Sequence, residues 1–119
     1  MKTKKELKQE YKQTKFPMGV FRIRNLINGK IFIGSSVNLD KIWNSHKFKL
    51  NNGLHPNKEL QKDWNDYGEN NFVYEILEEI KESAEPADYE KEVKDIEEIC
   101  IEEYQPFGQK GYNIKLKKC

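Results

Sequence analysis

Arginine is almost absent from this sequence: Arg22 and Arg24 are the only two among 119 residues. Arginine forks are the preferred readers of guanine edges, so extended base-by-base readout of DNA is not expected. Cysteine is equally scarce. Cys100 sits inside a helical pattern and Cys119 is the last residue, which excludes a disulfide framework and makes a reducing, cytoplasmic setting the expectation. No apolar run approaches the ~20 residues that a membrane helix needs. The opening Met1-Lys-Thr-Lys-Lys-Glu-Leu has no apolar stretch behind it, so no signal peptide is expected. Internal repeats and low-complexity tracts are also missing.

What is present is charge in blocks. The formal net charge is only +1, yet residues 1–74 hold 14 Lys or Arg against 7 acids, residues 75–103 hold 3 Lys against 13 acids, and residues 104–119 hold 4 Lys and no acid. A basic front facing phosphates, with an acidic segment facing water, is one reading of this asymmetry; a solvated acidic helix with scattered lysines is the other. The length fits one domain with one hydrophobic core.

Residues 3–13 pattern as a polar helix carrying Leu7 and Tyr11, and Pro17 ends that extension, so 1–17 is taken as a helical N-terminal extension and 18–119 as the domain. Asn28-Gly29 between two apolar runs signals a hairpin. A two-residue turn would set Asn25 opposite Phe32 and Ile23 opposite Gly34, with Phe21, Ile23 and Phe32 on one face. Ser35-Ser36 are expected to cap a helix whose inward stripe is Leu39, Trp43, His46 and Leu50. Pro56 opens a second helix with Leu60 and Trp64, closed at Tyr67-Gly68. Residues 71–77 alternate as a third strand with Phe72, Tyr74 and Ile76 on one side. A long acidic helix from Ala87 to Tyr104 carries Val93, Ile96, Cys100 and Ile101 on its apolar stripe, and Gly111-Tyr-Asn-Ile forms a short terminal segment.

This order of hairpin, helix, helix, strand, long helix and Gly-Tyr-Asn tail resembles the GIY-YIG nuclease domain. Gly19-Val20-Phe21 stands at the family's first triplet and Phe32-Ile33-Gly34 at its second, ten residues apart, and the resemblance runs over about residues 18–114. It implies an α+β fold: a small, three-stranded, mainly antiparallel sheet flanked by helices. It also implies a site. The family's two tyrosines, candidates for proton transfer, fall on Phe21 and Phe32, and its phosphate-stabilising arginine falls on Ile42. Its histidine is present as His46, its metal-binding glutamate as Glu97 and its late asparagine as Asn113.

Phosphodiester cleavage needs a proton acceptor and positive charge beside the developing negative charge. Phe and Ile supply neither. Loss of a general base typically lowers rate ~100- to 10,000-fold, and loss of an arginine at a transferring phosphate ~1,000- to 100,000-fold. No catalytic residue is therefore expected, with His46, Glu97 and Asn113 as residual candidates, and no cofactor unless Glu97 holds Mg²⁺ or Mn²⁺. The expected function is binding of a phosphate-bearing ligand, a nucleotide or a nucleic acid, without cleavage. Phe21, Phe32, Ile42, His46 and Asn113 would line the site, and Arg22, Arg24, Lys30, Lys41 and Lys47 would supply charge. A phage-type decoy that sequesters a nucleotide signal is one form of this. The alternatives are a metal-dependent endonuclease with a rewired site, using Glu97 with His46 as base, and a protein-interaction domain that presents the acidic helix 87–104. No membrane partner is expected.

Overall fold

The computed structural model describes residues 17–81 and 88–114; the proposed extension over 1–17, apart from Pro17, lies outside them. Three strands form one antiparallel sheet in the order β2-β1-β3: β1 is Met18–Asn25, β2 is Ile31–Ser36 and β3 is Phe72–Ile80. Helices α1 (Leu39–Asn51) and α2 (Lys58–Tyr67) cover one face, and α3 (Tyr89–Tyr104) covers the other. The expected α+β architecture is thus the observed one.

The hairpin differs from its sequence reading in register. Ile23 pairs with Phe32, not Gly34, because the turn has four residues rather than two. Asn25 N–H donates to the Lys30 carbonyl (2.9 Å), Gly29 N–H donates to the Asn25 carbonyl (2.8 Å), and Asn25 Oδ1 accepts from Ile27 N–H (2.8 Å). Asn25 is fully buried, so its side chain fixes the turn that Asn28-Gly29 alone left open. The error is two residues. An even shift keeps every side chain on its face, and Phe21, Ile23 and Phe32 do share the α1–α2 face.

That face is a core of Phe21, Ile23, Leu39, Leu50, Leu60, Trp64, Phe72 and Tyr112, flanked by Phe32, Ile42, Trp43 and Tyr74. Under α3 lies a smaller cluster of Val20, Ile31, Ile33 and Cys100, joined by Leu77, Ile96 and Ile101. A bulge opposite Val20 and Phe21 shifts the β1–β3 register. Ile76, expected inside with Phe72 and Tyr74, still pairs with Phe21 and keeps their side of β3, but it is 45% exposed, while Leu77 packs under α3.

All three helices begin on an Asn or Asp cap. Asn38, Asn57 and Asp88 accept from the backbone N–H groups of Lys41, Leu60 and Lys91. Ser36, expected as the first cap, instead supports Asn38: its hydroxyl accepts from Asn38 N–H at 3.0 Å. After α3 the chain returns to the β2 edge, where Gly111 bridges to Ile31 in parallel. Tyr112, 2% exposed, donates its hydroxyl to Asp63 (2.6 Å) and accepts from Asn25 Nδ2 (3.0 Å). The tail is therefore tied to α2 and to the hairpin at once.

Candidate functional site

β2 is an edge strand, and the side chains singled out from the sequence gather around it without forming one cleft. Phe21, Phe32, Ile42 and His46 lie on the α1–α2 face. Glu97 lies on α3, across the sheet, and Asn113 sits at the edge between them.

On the α1–α2 face the rings fill the space between the elements. Phe21 and Phe32 lie 5.5 and 5.6 Å from the His46 ring, centroid to centroid. Phe21 is 1% exposed, so it belongs to the core and does not line a ligand pocket. Its ring tip rests on Gly34: a β-carbon at Gly34 would stand 2.6 Å from Phe21 Cζ. Phe32 and Ile42 are half-buried.

His46 does not act alone. Its Nδ1 lies 2.8 Å from Nε2 of His55, a buried histidine in the α1–α2 loop. His55 is held on every side. Its N–H donates to Gln61 Oε1 (3.1 Å), and its Nδ1 accepts from the backbone N–H of Asn57 (3.0 Å). Gln61 Nε2 in turn donates to the Leu50 carbonyl (2.8 Å). Asn57 caps α2 and also donates through Nδ2 to the Tyr112 carbonyl (2.6 Å). Sequence reading passed over His55, Asn57 and Gln61. The available signals were an Asn one residue after a proline at a helix start and the chain's only other histidine beside it.

Burial, then His55, then Lys49 push the His46 pKa down to about 4, and burial followed by Lys49 lowers that of His55. Both rings are neutral at pH 7. The unfolded chain takes up protons near pH 6.5 while the folded chain does not, so stability is full above 6.5 and falls as pH drops toward 4. Glu75 has a lowered pKa, through Arg24 first, and adds its own loss only below the ordinary carboxylate range. Between pH 7 and pH 5 urea unfolding should therefore show a loss of about 1–2 kcal/mol, discounted for partial solvent access to His46. The loss should shrink in His46→Gln; equal stability at the two pH values would contradict the assignment.

The expected basic patch is dispersed. Arg22 and Arg24 both pair with Glu75, at 3.0 and 2.8 Å, on the α3 side of β1. Arg22 also lies over the Tyr104 ring. Lys30 pairs with Glu59 at 2.6 Å. The lysines of α1 remain: Lys41 and Lys49 are exposed, and Lys47 lies 5.3 Å from the Trp43 ring centroid.

Glu97 accepts from Ser35 Oγ at 3.2 Å and lies 3.9 Å from Lys94 Nζ. Beside it runs an open groove of about 560 Å³, lined by Ser35, Ser36, Val37, Asp88, Lys91 and Lys94 among others. No group of three His, Cys, Asp or Glu ligands occurs among the described residues. One carboxylate and one hydroxyl do not make a magnesium site unless phosphate oxygens and water complete the octahedron. Asn113 is consumed by the backbone: its Oδ1 accepts from Ile33 N–H (2.8 Å) and its Nδ2 donates to the Ile33 carbonyl (2.9 Å). It serves as a substitute strand on the β2 edge.

Residues 17–113 match the family model described as the GIY-YIG catalytic domain. Two curated proteins of Enterobacteria phage T4 align over 97 residues each, or 81% of this chain. Intron-associated endonuclease 1 is 35% identical and 36% covered; putative endonuclease segE is 38% identical and 40% covered. The chain thus spans less than half the length of these relatives. Among solved structures, the catalytic domain of homing endonuclease I-TevI superposes with a TM-score of 0.68 at 32% identity, covering 82% of this chain and 98% of that one. A single-site mutant of that domain gives 0.68 at 29% identity, covering 84% and 95%. No helix among the described residues is long and apolar enough to cross a membrane.

Proposed function

The chain belongs to the GIY-YIG catalytic domain family, and from that premise we propose that it binds nucleic acid on the α1 side of the β2 edge and does not cleave it. The observation that carries this reading is the packing of the site. Where the family has two tyrosines and an arginine, Phe21, Phe32 and Ile42 pack around a neutral His46. No hydroxyl and no cation remains at those three positions to transfer a proton or to offset phosphate charge. The same filling argues against an enclosed pocket for a free nucleotide, and so favours nucleic acid over a sequestered nucleotide signal. The lysines of α1, with Lys41 and Lys49 exposed and Lys47 half-buried, are left to meet a phosphate backbone, and the relatives named as endonucleases supply the ligand class.

Binding through three lysines predicts a definite salt response. With about three phosphates neutralised, affinity for duplex DNA falls roughly 40-fold between 50 and 200 mM salt. Fluorescence anisotropy with a 20-base-pair duplex measures this, and reversal of the three lysines to Glu should abolish binding. Absence of binding at 50 mM salt, or a mononucleotide that competes fully, would overturn the reading.

One observation favours a second reading, a metal-dependent endonuclease. Glu97 keeps its carboxylate half-buried beside Ser35, and among the described residues the cation paired with it is Lys94 at 3.9 Å. Mg²⁺- or Mn²⁺-dependent nicking that is lost in Glu97→Ala would establish it.

A further inference from the structure

The hydrogen bonds around His55 admit only one arrangement of protons in the neutral pair. A backbone N–H can only donate, so the Asn57 N–H at 3.0 Å requires a lone pair on His55 Nδ1. Neutral His55 then carries its proton on Nε2. That proton points along the 2.8 Å contact to His46 Nδ1, which must accept it. Neutral His46 consequently carries its own proton on Nε2. Among the described residues Nε2 of His46 has no hydrogen-bond partner, and no fully buried polar side-chain atom lacks one, so this N–H opens toward solvent.

We propose that Asn57, His55 and His46 form a one-way hydrogen-bond relay that presents His46 Nε2–H as a neutral donor to a phosphate oxygen of the bound nucleic acid. The ligand half of this inference rests on the function proposed above; the relay stands on its own geometry. His55 and Asn57 are positioning residues, and His46 is the group that touches the ligand. A cationic His46 would aim a second proton from Nδ1 at His55 Nε2. His55 would then have to give up the proton on Nε2 while Nδ1 stays blocked by Asn57. The relay therefore excludes the imidazolium while both hydrogen bonds stand. It also removes His46 as a general base, since Nδ1 is already accepting and Nε2 already protonated. Lys49, which lies near both rings and disfavours positive charge on them, works in the same direction. The site so described recognises an acceptor oxygen without contributing charge, which leaves the electrostatic part of binding to the α1 lysines.

Long-range ¹H–¹⁵N correlation spectra of the free protein at pH 7 decide the relay without any ligand. Both rings should show the Nε2–H tautomer, and neither should be protonated. In His55→Ala, His46 Nδ1 loses its donor, so His46 should titrate at higher pH than in the wild type, a change that a merely structural role for His55 would not produce. On titration with a 20-base-pair duplex, the His46 Nε2 resonance should shift while Nδ1 holds. An Nδ1–H tautomer or an imidazolium at pH 7 would overturn the relay. DNA binding detected by anisotropy without movement of His46 Nε2 would overturn its role as donor. Failure of the duplex to bind at all would strike the proposed function and leave the tautomer result to judge the relay.

Discussion

Gly19→Ala should prevent cooperative folding. The glycine lies in β1 at φ +151°, a conformation that side-chain-bearing residues rarely adopt, and a β-carbon there would stand 1.9 Å from the Glu78 carbonyl oxygen in β3. The obstruction is backbone in a paired strand, so no rotamer change relieves it. The only escape is separation of β1 from β3 at the bulge, which would open the sheet at its central strand. A destabilisation of more than ~4 kcal/mol is expected, at the exceptional end of single substitutions. Urea titration followed by circular dichroism checks it. Gly34→Ala should cost less, about 1–3 kcal/mol, because the group met there is the tip of a side chain, the Phe21 ring at 2.6 Å. Shortening that ring in Gly34→Ala/Phe21→Leu should restore part of the loss; purely additive effects would show that the two residues do not meet.

These two glycines bear on how the triplets are to be read. Their retention beside Phe21 and Phe32 invites a functional explanation from sequence alone, as the residue of a cleft that has been converted. Each has a steric reason instead. Gly19 lets β3 approach, and Gly34 lets the aromatic ring at position 21 lie across the edge strand. Both requirements hold whether the ring carries a hydroxyl or not, so the glycines report the fold and say nothing about cleavage.

The second large effect is a gain. Phe32→Tyr combined with Ile42→Arg should raise Mg²⁺-dependent nicking of plasmid DNA at least ~100-fold above the unmodified chain, because it returns a proton-transferring hydroxyl and a cation to positions beside His46. The two positions are chosen because both side chains are half-buried and reach the surface. Phe21→Tyr is left out of the pair, since its ring is 1% exposed and a hydroxyl added there needs a new hydrogen-bond partner or costs about 1–3 kcal/mol. Nicking that stays at background in a folded double variant would mean that these replacements do not account for the proposed lack of cleavage, and would point instead to Glu97 and its pairing with Ser35.

Much of the fold was legible because the core follows simple periods. The stripe Leu39, Trp43, His46, Leu50 does face the sheet, with Leu39 and Leu50 buried, and Val93 and Cys100 do anchor α3. The errors fall where local chemistry overrides period. Asn25 lengthened the hairpin turn through its own side chain, and Asn38 displaced Ser36 as a cap. Ile76 keeps the side of Phe72 and Tyr74 yet is 45% exposed, because alternation gives the side of a strand and not what covers it. The site was less legible for a related reason. Phe21, Phe32, Ile42 and His46 meet as expected, but Arg22 and Arg24 are claimed by Glu75 and Asn113 by the backbone of Ile33. Those claims depend on residues 50 to 80 positions away. His55 escaped notice because a lone histidine before a proline has no periodic context; only its contact with His46 gives it meaning.

The central claim, that this GIY-YIG domain holds nucleic acid without cutting it, is tested most directly on one gel. Supercoiled plasmid is incubated with increasing protein at low salt, with EDTA, Mg²⁺ or Mn²⁺, and each sample is run before and after protein removal. Retarded plasmid before removal and intact supercoils after it are expected under all three conditions. Open-circular or linear DNA that appears with Mg²⁺ or Mn²⁺, is absent with EDTA and disappears in Glu97→Ala would contradict it.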